Sequence, residues 1–217
     1  LGGDSTESYQ TDPLARAVRS AVAQGVVVVV AGGNYGVNAA GKEAYGTISS
    51  PGHEPSVITV GSLNLKGTTG RNDDVVNNFS SRGPTRGRVT TSAGVQIDNL
   101  LKPDLVAPGN RIVSALAEDT AAAGGAWNAL AAKYSSLVAV SGSTQVQDKA
   151  LMMLSGTSVA APVVAGAVAV GQADDVGQLA GQGVEHLFVL GLDSFRVGLV
   201  VHAVEQRLHG RTAALGA

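Results

Sequence analysis

LSGTSVAAPVVAG, residues 154–166, places the polar Ser158 at the start of an almost wholly apolar run. Gly156 indicates a turn, and the apolar residues after Ser158 are typical of a buried helix. The first turn of a helix has unpaired backbone N–H groups and favours negative charge, so a serine there is well placed to become an alkoxide. Serine is also a common N-cap residue, and the local pattern alone fits both interpretations.

The same stretch resembles a known family. GTS-x-A-A-P followed by VAG is similar to the nucleophile motif of the subtilisin-like serine proteases, the subtilases. The resemblance implies that Ser158 is the nucleophile. It also implies an α/β fold with three layers, in which helices flank a mostly parallel sheet, with the N-terminal strands missing. Val163 departs from the family at a position where many members carry a histidine that is not the catalytic base, so we expect the change to be tolerated.

Length and composition fit a single globular domain. The chain has 217 residues, of which 44% are hydrophobic and 15% charged, which is enough to bury a core. The net charge of -2 gives no reason to expect a nucleic acid or an anionic membrane as partner. The absence of cysteine excludes disulfides and cysteine-based catalysis. The longest apolar stretch, residues 159–170, contains Pro162 and is shorter than the roughly 20 residues of a membrane span.

A helix followed by a buried strand is predicted near the start of the chain. Asp12 and Pro13 form an N-cap with proline at the first helical position, and Gly25 ends the helix. The predicted apolar face consists of Leu14, Ala17, Val18, Ala21 and Val22. The β-branched run at residues 26–30 is typical of a parallel strand buried on both faces. Helix, glycine and buried strand together favour an α/β fold.

The glycine-rich turn AGGNYG, residues 31–36, follows that strand, at the edge of the sheet where α/β proteins bind ligands. It does not match G-x-G-x-x-G, and Glu43 stands where a phosphate loop needs Ser or Thr. The side-chain N–H of Asn34 is suited to stabilise an oxyanion, although turns also favour asparagine without any function. V-V-A-G-G-N-x-G resembles the oxyanion segment of the subtilases, which implies that role for Asn34.

The resemblance also implies a substrate site. LGG at residues 1–3 is similar to the family's glycine-bearing segment, which pairs with extended substrate and forms one wall of the first specificity pocket. AGG at residues 31–33 would form the facing wall. The implied substrate-binding residues are Leu1, Gly2, Gly3, Ala31, Gly32 and Gly33. The substrate would be an extended polypeptide held by β-like hydrogen bonds.

A serine nucleophile needs an adjacent base, and the family order along the chain is Asp, His, Asn, Ser. No histidine precedes Asn34, and neither Asp4 nor Asp12 lies in the family's aspartate context. We interpret all four histidines as ordinary surface or satisfied side chains: His53, His186, His202 and His209. We therefore expect a fragment of a longer serine endopeptidase, inactive alone because the triad Asp and His are absent.

Two alternatives remain open, a non-catalytic subtilase-like domain that binds peptide and an inactive truncation product. An α/β-hydrolase is excluded because Ala160 occupies the last glycine of G-x-S-x-G. No cofactor is expected to be required. The family is compatible with structural calcium, but no site is assigned, since Asp73 and Asp74 lack a ligand set of adequate spacing. The resemblance implies secretion, and we expect a monomer.

We predict no catalytic residue in the remaining segments of the chain. Asp104, within KPDLVAPG at residues 102–109, is interpreted as structural and bonded to loop backbone. Residues 118–150 form a variable insertion that contains Trp127, which we expect to pack onto the core. The recognisable part covers residues 1–171. Residues 172–217 form a divergent tail with an amphipathic helix predicted at 194–210.

Overall fold

The computed structural model describes residues 2–4, 6–116, 129–142, 150–176, 186–190 and 201–202. Its helices are α1 (Pro13–Ala23), α2 (Ala129–Lys133) and α3 (Thr157–Val176), with a short 3-10 helix at Ser135–Leu137. Its strands are β1 (Val27–Ala31), β2 (Ile58–Asn64), β3 (Val75–Val76), β4 (Arg88–Thr91), β5 (Gly94–Ile97), β6 (Leu105–Pro108), β7 (Ile112–Ala115), β8 (Leu151–Leu154), β9 (His186–Leu190) and β10 (Val201–His202).

Helix α1 begins where the sequence predicts. The Asp12 carboxylate accepts hydrogen bonds from the backbone N–H groups of Leu14 (2.8 Å) and Ala15 (3.0 Å), which confirms the N-cap. The buried face of α1 is rotated by about one residue from the predicted apolar face. Few apolar positions define the predicted face, and in a helix of 3.6 residues per turn such a small set does not fix its direction closely. Ala15 and Val18 are buried, whereas Leu14 is 38% exposed.

The main sheet is mostly parallel. Strands β9, β1, β2 and β6 run parallel, with Val29 opposite Ile58 and Val60 opposite Leu105. Strand β10 pairs antiparallel with β9, and β3 pairs antiparallel with β2. The hairpin β4–β5 and the antiparallel pair β7–β8 form two smaller sheets. The predicted α/β fold with a mostly parallel sheet is confirmed.

The two faces of β1 bury their side chains in different layers. Val28 and Val30 pack on the α1 side, with Val18, Val26 and Val57. The opposite face of β1 packs beneath α3. The core cluster between them consists of Val29, Ala31, Val60, Ala107, Ala160, Ala161, Val164 and Ala165. Burying one valine contributes about 1.5–3 kcal/mol. The alanines of α3 let the helix approach the sheet closely, which brings its first turn to the carboxyl end of β1.

Some expectations for the outer elements are wrong. Strand β10 lies within the helix predicted at residues 194–210, because a short apolar run fits a helix or a strand equally and pairing with β9 decides it. Strands β3 and β6 lie in segments for which the sequence predicts no strand. Trp127, His209 and most of the predicted insertion and tail lie outside the described residues.

Candidate active site

Ser158 is the second residue of α3 and is partly exposed. Because the helix begins at Thr157, Ser158 lies inside the first turn and not at the N-cap position. The turn before it is held by a 2.8 Å hydrogen bond from the N–H of Gly156 to the carbonyl of Gly109. A Cβ on Gly109 would lie 2.3 Å from the Ser62 hydroxyl and 2.7 Å from the Gly156 carbonyl. Gly109 therefore allows the turn to sit directly on the sheet.

Asn34 lies at the carboxyl end of β1, and its side chain reaches the start of α3. Its Oδ1 accepts hydrogen bonds from Thr157 N (3.0 Å) and Thr157 Oγ1 (3.1 Å). The same hydroxyl accepts a bond from the N–H of Gly33 at 3.1 Å. Thr157 thus ties the glycine-rich turn to the helix, and an N–H group of the first helical turn gains a partner that the helix itself cannot supply.

These bonds orient the Asn34 amide. An asparagine amide has one acceptor oxygen and two N–H donors. Since Oδ1 is held by Thr157, the donors on Nδ2 point elsewhere, and a Cβ built on Gly156 would lie 3.4 Å from Nδ2. A fixed N–H donor next to a helix N-terminus suits the stabilisation of a developing negative oxygen. The structure therefore brings Asn34 together with the turn that carries Ser158.

The two predicted walls of the substrate pocket meet at residues 49–50. Gly3 forms an antiparallel bridge with Ser50, with N···O distances of 3.2 and 2.9 Å. The carbonyl of Gly32 accepts a bond from Ser49 N at 3.0 Å, and that of Gly33 accepts one from Ser81 N at 2.9 Å. Gly2 is partly exposed and Ala31 is buried within β1, whereas Leu1 lies outside the described residues.

Gly33 has no room for a side chain. Its φ is +106°, and a Cβ there would lie 2.3 Å from Ser49 Oγ and 2.8 Å from Ser81 Oγ. Both the positive φ and the close hydroxyl groups require glycine. Ser49 is 1% exposed, and its hydroxyl has no hydrogen-bond partner within the described part of the chain. The Asn34 turn is thus packed tightly onto the segment that carries Ser49 and Ser50.

A family model described as the Subtilase family, peptidase S8, matches residues 2–189. The chain belongs to the Subtilase family. The serine protease AprX of Bacillus subtilis (strain 168) is 37% identical over 171 residues, which cover 78% of this chain and 31% of AprX. This subtilase chain therefore spans about a third of the length of that curated relative. The family match also continues past residue 171, the predicted end of the recognisable part.

Solved protease structures are similar to this subtilase at lower identity. An S41 psychrophilic protease is 25% identical, with a TM-score of 0.48 and coverage of 81% of this chain and 41% of its own. Sphericase is 23% identical, with the same TM-score of 0.48 and the same coverage of 81% and 41%.

His53 of this subtilase is buried beside Asp12, not on the surface. It is 3% exposed, and its Nε2 lies 3.8 Å from Asp12 Oδ2. The pair sits at the N-terminus of α1, on the face of the sheet opposite the one that α3 covers. His186 and His202 lie opposite each other in strands β9 and β10.

Asp104 is structural, as predicted, although its backbone partner belongs to β2. Its Oδ2 accepts a bond from Thr59 N at 2.7 Å. The same oxygen lies 2.7 Å from Nζ of Lys102, which also donates to the carbonyl of Val57 at 2.9 Å. Lys102 is 7% exposed, a burial that the sequence did not indicate. The Lys102 ammonium group thus links the Val57 carbonyl to the Asp104 carboxylate.

An ion pair between the partly exposed Arg19 and the buried Glu54 was not predicted from the sequence. Glu54 is 2% exposed and its Oε2 accepts from Nε of Arg19 at 3.0 Å. Arg19 also donates to the carbonyl of Tyr9 at 2.7 Å. The hydrogen bond to Glu54 raises the pKa of Arg19 above its ordinary value, in spite of the partial burial that lowers it. The pair fastens α1 to the loop before β2.

The described ranges contain no cluster of three or more His, Asp or Glu residues suited to a metal ion. Asp73 accepts bonds from the Thr68 hydroxyl at 2.9 and 3.1 Å, and Asp74 lies 3.5 Å from Arg71. No helix in the same ranges is long and apolar enough to cross a membrane.

Proposed function

We propose that this chain carries the nucleophile, Ser158, and the oxyanion donor, Asn34, of a subtilisin-like serine endopeptidase. The observation that carries the proposal is the pair of hydrogen bonds from Thr157 to Asn34 Oδ1. These bonds aim the amide donors away from Thr157, next to the turn that leads into Ser158. Family membership supports the reaction class, and AprX is named a serine protease.

The proposed reaction is acyl transfer. Ser158 Oγ attacks the carbonyl carbon of the scissile peptide bond, and the carbonyl oxygen becomes an oxyanion that accepts a bond from Asn34 Nδ2. Collapse of this tetrahedral intermediate expels the amine and leaves an acyl-serine, which water hydrolyses. The Asn34 amide stabilises the negative charge that develops on the carbonyl oxygen, because its N–H donor is already oriented before the reaction begins.

We propose that the base that takes the proton of Ser158 lies outside this chain. A hydroxyl needs a base to take its proton, and no histidine precedes Asn34 in this chain. We propose that the full-length protein supplies the histidine and the aspartate that orients it. Oxyanion stabilisation alone leaves subtilisin-type enzymes about 10³-fold above water, so we expect only residual activity from the 217-residue chain.

The proposed substrate is an extended polypeptide that pairs with the backbone edge at Gly2, next to Gly3. The N–H and carbonyl of Gly3 already pair with Ser50 on one side, so the substrate would lie along the other side of this segment. The facing wall at Gly32 and Gly33 is rigid, because its carbonyls are already bonded to Ser49 and Ser81. We further propose that the enzyme is secreted, is monomeric and requires no cofactor. We assign no calcium site to it.

Labelling with a fluorophosphonate probe tests the proposal, on this chain and on the full open reading frame. Ser158→Ala is the test variant, and Ser155→Ala is the matched control, because the Ser155 hydroxyl is bound to Arg111 N at 2.8 Å. We expect labelling of the full-length protein that is lost only in Ser158→Ala. Absence of labelling in a folded full-length protein would contradict the enzyme and favour a peptide-binding domain.

Labelling of the short chain that depends on Ser158 would contradict the absence of a base. His53 would then be the first histidine to replace. Its burial against Asp12 leads us to expect no such labelling.

A further inference from the structure

Ser50 holds two distant parts of the chain at once. Its backbone N–H and carbonyl pair with Gly3, at 2.9 and 3.2 Å. Its hydroxyl donates to Asp12 Oδ1 at 3.0 Å. Ser50 and Asp12 are 4% and 5% exposed. A single buried serine therefore closes residues 3–12 into a loop, with its backbone at one end and its side chain at the other.

The acceptor of this bond is fixed by α1. The same Asp12 Oδ1 receives the N–H groups of Leu14 (2.8 Å) and Ala15 (3.0 Å). Ala15 is fully buried, so the helix start cannot shift without disturbing the core. The position of the Ser50 hydroxyl is thereby tied to a helix terminus and not to a surface loop.

His53 covers the other side of the carboxylate. Its Nε2 lies 3.8 Å from Asp12 Oδ2 and has no hydrogen-bond partner within the described part of the chain. With His53 3% exposed, little water reaches the Asp12–Ser50 bond. A hydrogen bond to an ionised acceptor is stronger than a neutral one, and a dry setting strengthens it further.

We propose that Ser50 and Asp12 are positioning residues for peptide binding. Together they hold Gly3 from one side, which places the other side of the segment at Gly2 in the geometry needed to pair with an extended substrate. The Gly3 edge is secured by one isolated bridge, and β-pairing with a peptide requires a well-placed backbone edge. The Asp12–Ser50 bond gives this bridge a second anchor. This inference rests on the proposed function, since it assigns a role to the same substrate edge.

The test compares extended and minimal substrates in the full-length protein. Ser50→Ala should raise KM for an extended peptide about fivefold, the effect of losing one net hydrogen bond. Its kcat should change less than twofold, and its rate of labelling by a small fluorophosphonate should match wild type. Ser92→Ala, an exposed serine in the β4–β5 turn, should leave all three quantities unchanged.

Asp12 provides a second, independent comparison. Asp12→Ala removes both the helix cap and the acceptor for Ser50, so it should lower Tm and raise KM for extended peptides. Asp12→Asn keeps an oxygen acceptor at that site and should restore KM for extended peptides to within about twofold of wild type. Should Ser50→Ala fail to fold, Ser50→Cys, which keeps a weak donor, takes its place, with a smaller rise in KM expected.

Two outcomes would overturn the inference. Equal loss of activity on extended and minimal substrates would mean that Ser50 acts only through stability. An unchanged KM in a folded Ser50→Ala protein would mean that the bond does not position the edge.

The inference can fail separately from the proposed function. If the wild-type protein does not react with fluorophosphonate, the proposed function fails. Hydrogen exchange at Gly3 N–H then still tests whether the Asp12–Ser50 bond secures the Gly3–Ser50 bridge. We expect this exchange to be at least about fivefold faster in Ser50→Ala than in wild type or Ser92→Ala, and equal rates would contradict it.

Discussion

The hydroxyl of Thr157 donates a 3.1 Å hydrogen bond to Oδ1 of Asn34, a residue 123 positions away in the chain. The same hydroxyl accepts the N–H of Gly33 at 3.1 Å. Thr157 is fully buried and sits between the glycine-rich turn and Ser158. The orientation of the proposed oxyanion donor is therefore set by Thr157, the residue that precedes Ser158, the proposed nucleophile.

Replacing Thr157 should lower acylation without removing either proposed catalytic group. Thr157→Val deletes the hydroxyl at nearly constant volume, leaving Asn34 Oδ1 with only the Thr157 N–H. Loss of this bond is worth about 1–2 kcal/mol, which corresponds to a labelling rate about 5–30-fold slower. Thr157→Ser keeps the hydroxyl and should label within about threefold of wild type. Equal slowing in Thr157→Val and Thr157→Ser would mean that the hydroxyl does not matter.

Asn34→Asp separates the two functions of the Asn34 side chain. The carboxylate keeps an oxygen for the Thr157 donors, and its negative charge lies at the favourable end of α3. It cannot donate to an oxyanion. Removal of one such donor in subtilisin costs about 10²–10³ in kcat. We expect kcat to fall by that order in the full-length protein while Tm, measured by calorimetry, stays within about 2 °C. A large loss of Tm would show that Asn34 is mainly structural.

The elements whose signals are local could be predicted from the sequence. Asp12 and Pro13 indicate the start of α1, and the valine run indicates β1. The orientation of α1 was less accurate, with Leu14 left 38% exposed. Which stripe of an amphipathic helix is buried depends on the sheet beneath it, and the sheet is assembled from β2 (Ile58–Asn64) and β9 (His186–Leu190), which lie far along the chain.

Two residues of the candidate site were also predicted from the sequence. The motifs around Asn34 and Ser158 are compact and resemble family segments, and the catalytic roles of both residues stay predictions. Thr157 lies within the second motif, yet its role could not be predicted, because its partner lies 123 residues away. Ser50 and Lys102 carry no local signal at all. Their importance follows from burial and from contacts that only the folded chain creates.

Gly33 and Gly3 should respond very differently to alanine. At Gly33 the φ of +106° and the 2.3 Å approach to Ser49 Oγ both oppose a Cβ, and we expect a loss of about 2–4 kcal/mol in the free energy of unfolding. Among the residues that the structure describes, nothing lies within 4 Å of the Cβ position of Gly3, so Gly3→Ala should keep its stability. Urea denaturation measures both. A stable Gly33→Ala would show that the turn can rearrange around Ser49.

Gly41→Ala distinguishes the two reasons why alanine should destabilise the protein at Gly33, the positive φ and the close approach to Ser49. The φ of Gly41 is +70°, yet no atom of the described part of the chain lies within 4 Å of its Cβ position. It should therefore cost only the backbone strain, about 1 kcal/mol. If Gly41→Ala and Gly33→Ala lose equal stability, the contact with Ser49 contributes nothing.

The Arg19–Glu54 pair should contribute to stability because Glu54 is buried. Arg19→Ala leaves a carboxylate that is 2% exposed with Ser56 as its remaining partner, through bonds of 3.2 and 2.9 Å. Leaving a buried polar group under-satisfied costs about 1–3 kcal/mol, or about 2–12 °C in Tm for a chain of this size. Because hydrogen bonding to Glu54 raises the pKa of Arg19, the guanidinium stays charged through alkaline pH, and the loss in Arg19→Ala should be the same at pH 7 and pH 9.

Two further variants establish the cause of that loss. Arg16→Ala, on an exposed position of the same helix, should change Tm by less than about 1 °C, which excludes an effect of helix propensity. Glu54→Gln added to Arg19→Ala removes the buried charge while keeping the side-chain shape, and it should recover at least half of the lost stability. If the double variant is no more stable than Arg19→Ala, the penalty does not come from an unpaired buried carboxylate, and the packing of Arg19 over the Tyr9 ring, at 5.4 Å, is the alternative source.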